Sequence, residues 1–163
     1  MRVLFIDDET VNLRLGKRFL ERLGCTYTML EDGETAVEEV ERAIAEGNPF
    51  DVVLVDIVMA RVGGVAVCEA IRSRQIPVPV VAMTAVTGRA NLIHFKKVGF
   101  NLVLAKPFGA DAVKQALVEA AKRERRRAEA EAAAAAAAAG GARRGGDAAD
   151  DAQAGRDRAA GRG

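Results

Sequence analysis

Neither sign of charge prevails in this chain of 163 residues, whose formal net charge is +1. Composition therefore gives no reason to expect nucleic acid or an anionic membrane as the main partner. Cysteine is scarce as well. Cys25 and Cys68 lie far apart, with no Cys-x-x-Cys and no His-rich segment to pair with them, so they read as buried or half-buried thiols in a reducing compartment. Long apolar runs are missing: most are strand-length, and the Ala run at 132–139 is far short of the roughly 20 apolar residues a membrane span needs. Only Val3–Ile6 separates Arg2 from the first acids, too little for a signal peptide. A cytoplasmic protein without a membrane segment is expected.

What is present is a regular alternation. Five short, β-rich apolar runs recur, at Val3–Ile6, Thr26–Leu30, Val52–Val55, Val78–Met83 and Leu102–Ala105, and each is followed by a helix-like stretch. Val11, Leu15, Phe19, Leu20 and Leu23 form one apolar stripe stopped by Gly24; Ala36, Val37, Val40 and Ile44 form a second, over about 34–46, stopped by Gly47. Further helices are predicted at about 64–73, 88–98 and from 110 onward. "DVVLVD" and "VPVVAMT" lack polar alternation, as strands covered on both faces require. The predicted fold is α/β, a (βα)5 doubly wound parallel sheet.

The length suits one domain, which typically runs to about 100–150 residues. We place it at 1–121. From 122 the chain becomes an Ala/Arg/Glu-rich segment predicted to stay helical to 139, where glycines end it. Residues 140–163, poor in large apolar side chains, are expected to be a disordered Gly/Ala/Arg/Asp tail. Its "GARRGGD" reads as solvated linker rather than an RNA contact. No DNA-binding or enzymatic output domain is expected after 121.

In a parallel sheet of this kind, ligands bind outside the carboxyl ends of the strands. Asp7 and Asp8 follow strand one, Asp56 strand three, Thr84 strand four and Lys106 strand five. Each alone has a bland reading as a cap or a solvated side chain; their arrival at one rim does not. Converging carboxylates make a hard, oxygen-rich site for Mg2+, which takes one or two carboxylates, keeps waters and shares phosphate oxygens. A Lys ammonium and a Thr hydroxyl add donors suited to phosphoryl oxygens.

With "LFIDDE", "VLVDIVM", "VAMTA" and "LAKPF" in that order and spacing, residues 1 to about 121 resemble the receiver domain of two-component response regulators. "DDETVN" looks more like receivers attached to hybrid sensor histidine kinases than like single-domain chemotaxis regulators. The resemblance implies the flavodoxin-like strand order 2-1-3-4-5, for which a family member serves as a standard example. It implies that Asp56 is the phosphoacceptor, taking a phosphoryl group from a histidine kinase or histidine phosphotransfer protein. It further implies that Asp7, Asp8, Asp56 and the backbone carbonyl of Val58 hold Mg2+, that Thr84 and Lys106 bind the phosphoryl group and switch the domain, and that Pro107 is cis and shapes the loop. A downstream protein would then dock on the face of helix 4, strand 5 and helix 5.

Three positions depart from that pattern. Val103 occupies the place of the switch aromatic, so output is expected to be weak or differently carried. "ARVGG" replaces the usual loop after Met59 and is expected to be flexible. Val58 and Val86, two residues beyond Asp56 and Thr84, have no hydrogen-bonding group to position water, so a slowly hydrolysing aspartyl phosphate is expected. His94, the single histidine, lies on the predicted fourth helix away from the acids and reads as a partner-face or half-buried residue. A haloacid-dehalogenase-type phosphatase would want an Asp where Val58 stands, as general acid. The remaining alternative is a receiver-like binding module that is never phosphorylated.

Overall fold

The computed structural model describes residues 1–142, with side chains through residue 138. Strands and helices alternate along it: β1 (Arg2–Ile6), α1 (Thr10–Arg22), β2 (Thr26–Leu30), α2 (Ala36–Ala45), β3 (Val52–Asp56), α3 (Gly64–Ser73), β4 (Val80–Thr84), α4 (Arg89–Val98), β5 (Leu102–Ala105) and α5 (Ala110–Ala142). The five strands form one parallel sheet in the order β2-β1-β3-β4-β5, the expected flavodoxin-like arrangement.

The uninterrupted apolar runs occupy the three central strands, and their side chains divide by the two-residue period of a strand. Leu4, Ile6, Val53, Val55, Val80 and Ala82 pack under α2, α3 and α4. Val3, Phe5, Val52, Leu54, Val81 and Met83 pack under α1 and α5. Covering both faces leaves no room for a polar side chain within these strands, only at their ends: Asp56 and Thr84 are the last residues of β3 and β4. The edge strands β2 and β5 are only partly covered.

Element ends differ from the sequence expectation for local reasons. β4 starts at Val80 rather than Val78, because Pro79 has no N–H to give the ladder; its carbonyl still accepts from Val53 N at 2.9 Å. α2 starts at Ala36 rather than Glu34, whose N–H is taken by the Asp32 side chain at 2.8 Å. α5 does not stop at 139 but is described through Ala142; two glycines cost a helix about 1 kcal/mol each, too little to end it after a long Ala run. The rest of the expected 140–163 tail, from residue 143 on, lies outside the described residues.

The chain divides into a compact unit, Met1–Arg126, and a second beginning at Arg127, so the compact unit reaches past the expected boundary at 121. At the end of the sheet remote from the acids, Asn101 ties several parts of the first unit together. Its Oδ1 accepts from Arg72 Nη2 and Val80 N, both at 2.8 Å, and its Nδ2 donates to Glu124 at 3.2 Å. Cys25 and Cys68 are free thiols, and burial pushes Cys68 up to about 11. His94 is exposed on α4. Among the described residues no helix is long and apolar enough to cross a membrane.

Candidate functional site

The sheet order decides which strand ends become neighbours. β1 lies beside β3 and β3 beside β4, so the residues that end β1 and β3 face one another although 49 positions separate Asp7 from Asp56 in the chain. Carboxylate oxygens of Asp7, Asp8 and Asp56 come within 4.8 Å of one another. Asp7 is fully buried and Asp56 is 7% exposed, whereas Asp8 faces solvent.

Each carboxylate is held by donors. Asp7 Oδ1 accepts from Glu9 N (3.0 Å) and Asn12 Nδ2 (3.1 Å), and Asp56 Oδ1 accepts from Val58 N (3.3 Å). Lys106 Nζ bridges the two, at 2.9 Å from Asp7 Oδ2 and 2.7 Å from Asp56 Oδ2. Asp8 Oδ2 accepts from Ala60 N at 2.8 Å. Burial alone would lower the Lys106 pKa, but the hydrogen bonds it donates to Asp56 and Asp7, with their charges, outweigh it and hold the ammonium above its ordinary value. Three carboxylates facing one ammonium leave the cluster electronegative. Its donors are all hard oxygens, which fits a cation of the Mg2+ class and none that prefers sulfur or nitrogen.

Thr84 is buried beside this rim, and its carbonyl accepts from Lys106 N at 2.8 Å. Its hydroxyl accepts from Val86 N at 3.0 Å, so the structure turns it into the local loop rather than onto the carboxylates. Val58 touches Asp56 through its amide, and its side chain is 73% exposed. Val103 is half-buried against the core under α4. The Lys106–Pro107 peptide bond is cis.

The "ARVGG" loop lies close against the end of the strand that carries Asp56. A Cβ on Gly64 would lie 2.5 Å from the Asp56 carbonyl oxygen, and one on Gly63 would lie 2.8 Å from that of Ile57. These glycines allow a close approach of loop to strand. The loop is also anchored from the side by Arg61, which pairs with Asp32 (3.2 Å) and with Glu34.

Sequence reasoning missed Asn12 and the Ala60 amide as partners of the acids. Asn12 left a signal, since an Asn three residues after an acid at a helix start places the two side chains together. The Ala60 amide left none. A cleft of about 320 Å3 opens beside the cluster, lined by Glu9, Asn12, Leu15, Phe19, Lys106 and Phe108 among others.

Comparison with known proteins gives a consistent result. The model of the response regulator receiver domain family matches residues 3–118. The chain is 33% identical over 120 residues to the transcription factor SKN7 of Saccharomyces cerevisiae, covering 74% of this chain and 18% of that protein. It is 31% identical over 125 residues to the sensor histidine kinase RcsC of Salmonella typhi, covering 77% of this chain and 13% of that one. It thus spans less than a fifth of the length of these curated relatives. Among solved structures, the receiver domain of the Francisella response regulator 1452 aligns with a TM-score of 0.65 at 27% identity, covering 75% of this chain and 97% of that one.

Proposed function

The chain belongs to the response regulator receiver family of two-component signalling, and from that membership we propose that Asp56 is a phosphoacceptor in a phosphorelay. The observation that carries the reading is the Lys106 ammonium held between Asp7 and Asp56 at the rim of the sheet. An acceptor carboxylate needs one oxygen free to attack and its negative neighbours neutralised while phosphoryl charge arrives.

Asp7, Asp8 and Asp56, with the backbone carbonyl of Val58, would hold Mg2+. When bound, the cation neutralises phosphoryl oxygens during in-line transfer. Asp56 attacks the phosphorus of a phosphohistidine on a histidine kinase or phosphotransfer protein; the P–N bond breaks and the histidine leaves. Lys106 releases Asp56 Oδ2 and follows the incoming phosphoryl oxygens, remaining paired with Asp7. Thr84 gives up its bond from Val86 and turns its hydroxyl toward the new group, drawing the β4–α4 loop with it. With Val103 in place of an aromatic, this loop and the exposed Leu92 and Ile93 of α4 carry the response toward a downstream protein on the α4–β5–α5 face.

Hydrolysis of the aspartyl phosphate is slow in this reading. Val58 and Val86 are 73% and 52% exposed, and neither side chain has a hydrogen-bonding group with which to place a water. We take the functional unit to be the receiver-like residues 1–121, from which α5 continues as a helical extension.

Intact mass of the protein and of Asp56→Asn, after incubation with Mg2+ and acetyl phosphate, tests the assignment. One added phosphoryl group, absent in the variant, is the expected result. A folded, Mg2+-binding protein that gains nothing from acetyl phosphate or from phosphorylated histidine kinases would instead favour a binding module that is never phosphorylated.

A further inference from the structure

The side chain of Glu9, the third acid of "LFIDDE", is not one of the three clustered carboxylates. Glu9 occupies the N-cap of α1 with extended backbone (φ −89°, ψ 115°), yet its side chain makes no capping hydrogen bond. It is held by a different group. Asn12 Nδ2 donates to Glu9 Oε2 at 3.0 Å and to Asp7 Oδ1 at 3.1 Å. One neutral amide, with two hydrogens to give, thus ties the fully buried Asp7 to an exposed acid on the wall of the cleft beside Lys106.

Holding two carboxylates on one uncharged nitrogen works against their mutual repulsion, and a positive side chain at position 12 would relieve it. The arrangement gains a purpose when a cation is added. Glu9 does not belong to the set of carboxylates within 4.8 Å of one another, so it is no inner ligand. It is one amide away from that set, which is the reach of a contact made through water. Mg2+ keeps several waters when bound to protein, and those waters need acceptors.

We propose that Asn12 is a positioning residue for the cation: it orients the Asp7 carboxylate and holds Glu9 as an outer acid that accepts hydrogen bonds from the cation's water shell. This rests on the reading of the Asp7, Asp8 and Asp56 cluster as a Mg2+ site. The same tether would leave Asp7 and Glu9 in place between rounds of cation binding.

Calorimetric titration of Mg2+ into the full chain and into Asn12→Ala, Glu9→Gln and the double variant tests it, with urea unfolding in EDTA as the control. Each single change is expected to weaken Mg2+ binding on the order of 10-fold, the usual loss for an outer-sphere partner. The double variant should bind about as weakly as Asn12→Ala, because Glu9 acts only where Asn12 holds it. Cobalt(III) hexammine, which binds through its ammine hydrogens alone, should lose affinity for Glu9→Gln, while that variant loses no stability in EDTA. Wild-type Mg2+ affinity in both single variants overturns the proposal, as do losses that multiply in the double variant, which would reflect two independent charge and capping effects. A wild-type chain that binds no Mg2+ would overturn the cation reading itself, a result separable from failure of the tether alone. Should Asn12→Ala not fold, Glu9→Gln with the two probes still decides the role of the outer acid.

Discussion

Neutralising Asp8 should make the cation-free protein more stable, although it removes a proposed ligand. The oxygens of Asp8 lie within 4.8 Å of those of Asp7 and Asp56. At an effective dielectric constant of about 20, two unit charges at that separation repel by roughly 3 kcal/mol. Asp8 is exposed, and solvent screening reduces this to about 1 kcal/mol per pair. Asp8→Asn removes two such pairs, while its amide oxygen can still accept the Ala60 N–H at the cost of the charge assistance, about 0.5–1 kcal/mol. The net expectation is a gain of about 1–1.5 kcal/mol in EDTA. With saturating Mg2+ the order reverses, since a ligand that binds only the folded state stabilises by RT ln(1 + [L]/Kd) and the variant has lost affinity. Urea unfolding of both proteins, with EDTA and then with Mg2+, measures each arm. An Asp8→Asn variant less stable than wild type in EDTA would refute the claim that repulsion at this rim opposes folding.

Other expectations follow from the same geometry. Lys106→Met leaves Asp7 and Asp56 without their shared ammonium, so in EDTA it should be less stable than wild type. Because the folded state holds the Lys106 pKa above its ordinary 10.5, its contribution is complete below that value and fades as pH rises through the folded pKa. The gap between the two proteins should therefore be flat across neutral pH and narrow only above about pH 10.5; a gap that closes near neutrality contradicts the pairing. Gly64→Ala forces a Cβ to within 2.5 Å of the Asp56 carbonyl oxygen and should cost about 1–3 kcal/mol, read as a lower urea midpoint. Val58→Asn, which supplies a hydrogen-bonding group at the rim, should shorten the lifetime of the phosphorylated protein several-fold. A wild-type half-life of only seconds in Mg2+ would contradict the slow hydrolysis expected of the apolar rim.

The alternation of strands and helices, and the identity of the central strands, are legible along the chain. Both are written in neighbouring residues: a largely β-branched run such as Val52–Val55, short and without polar alternation, is what a strand covered on both faces requires. The same reasoning located Asp7, Asp8, Asp56, Thr84 and Lys106 at strand ends, since an apolar core between two helical layers admits polar groups only there. Element boundaries were less legible, because Pro79 and the Asp32 side chain act through individual hydrogen bonds that periodicity does not register.

How those residues meet depends on the packed sheet. That Lys106 is shared by Asp7 and Asp56, across 99 and 50 positions of chain, follows from β1, β3, β4 and β5 lying in register at one rim. The Thr84 hydroxyl facing Val86, the Ala60 amide reaching Asp8, and the glycines pressed against the Asp56 and Ile57 carbonyls are likewise products of loop paths. Local patterning fixes which face a residue takes. Distances between side chains distant in the chain depend on how whole elements pack, and that is set by the sheet and both of its helical layers together.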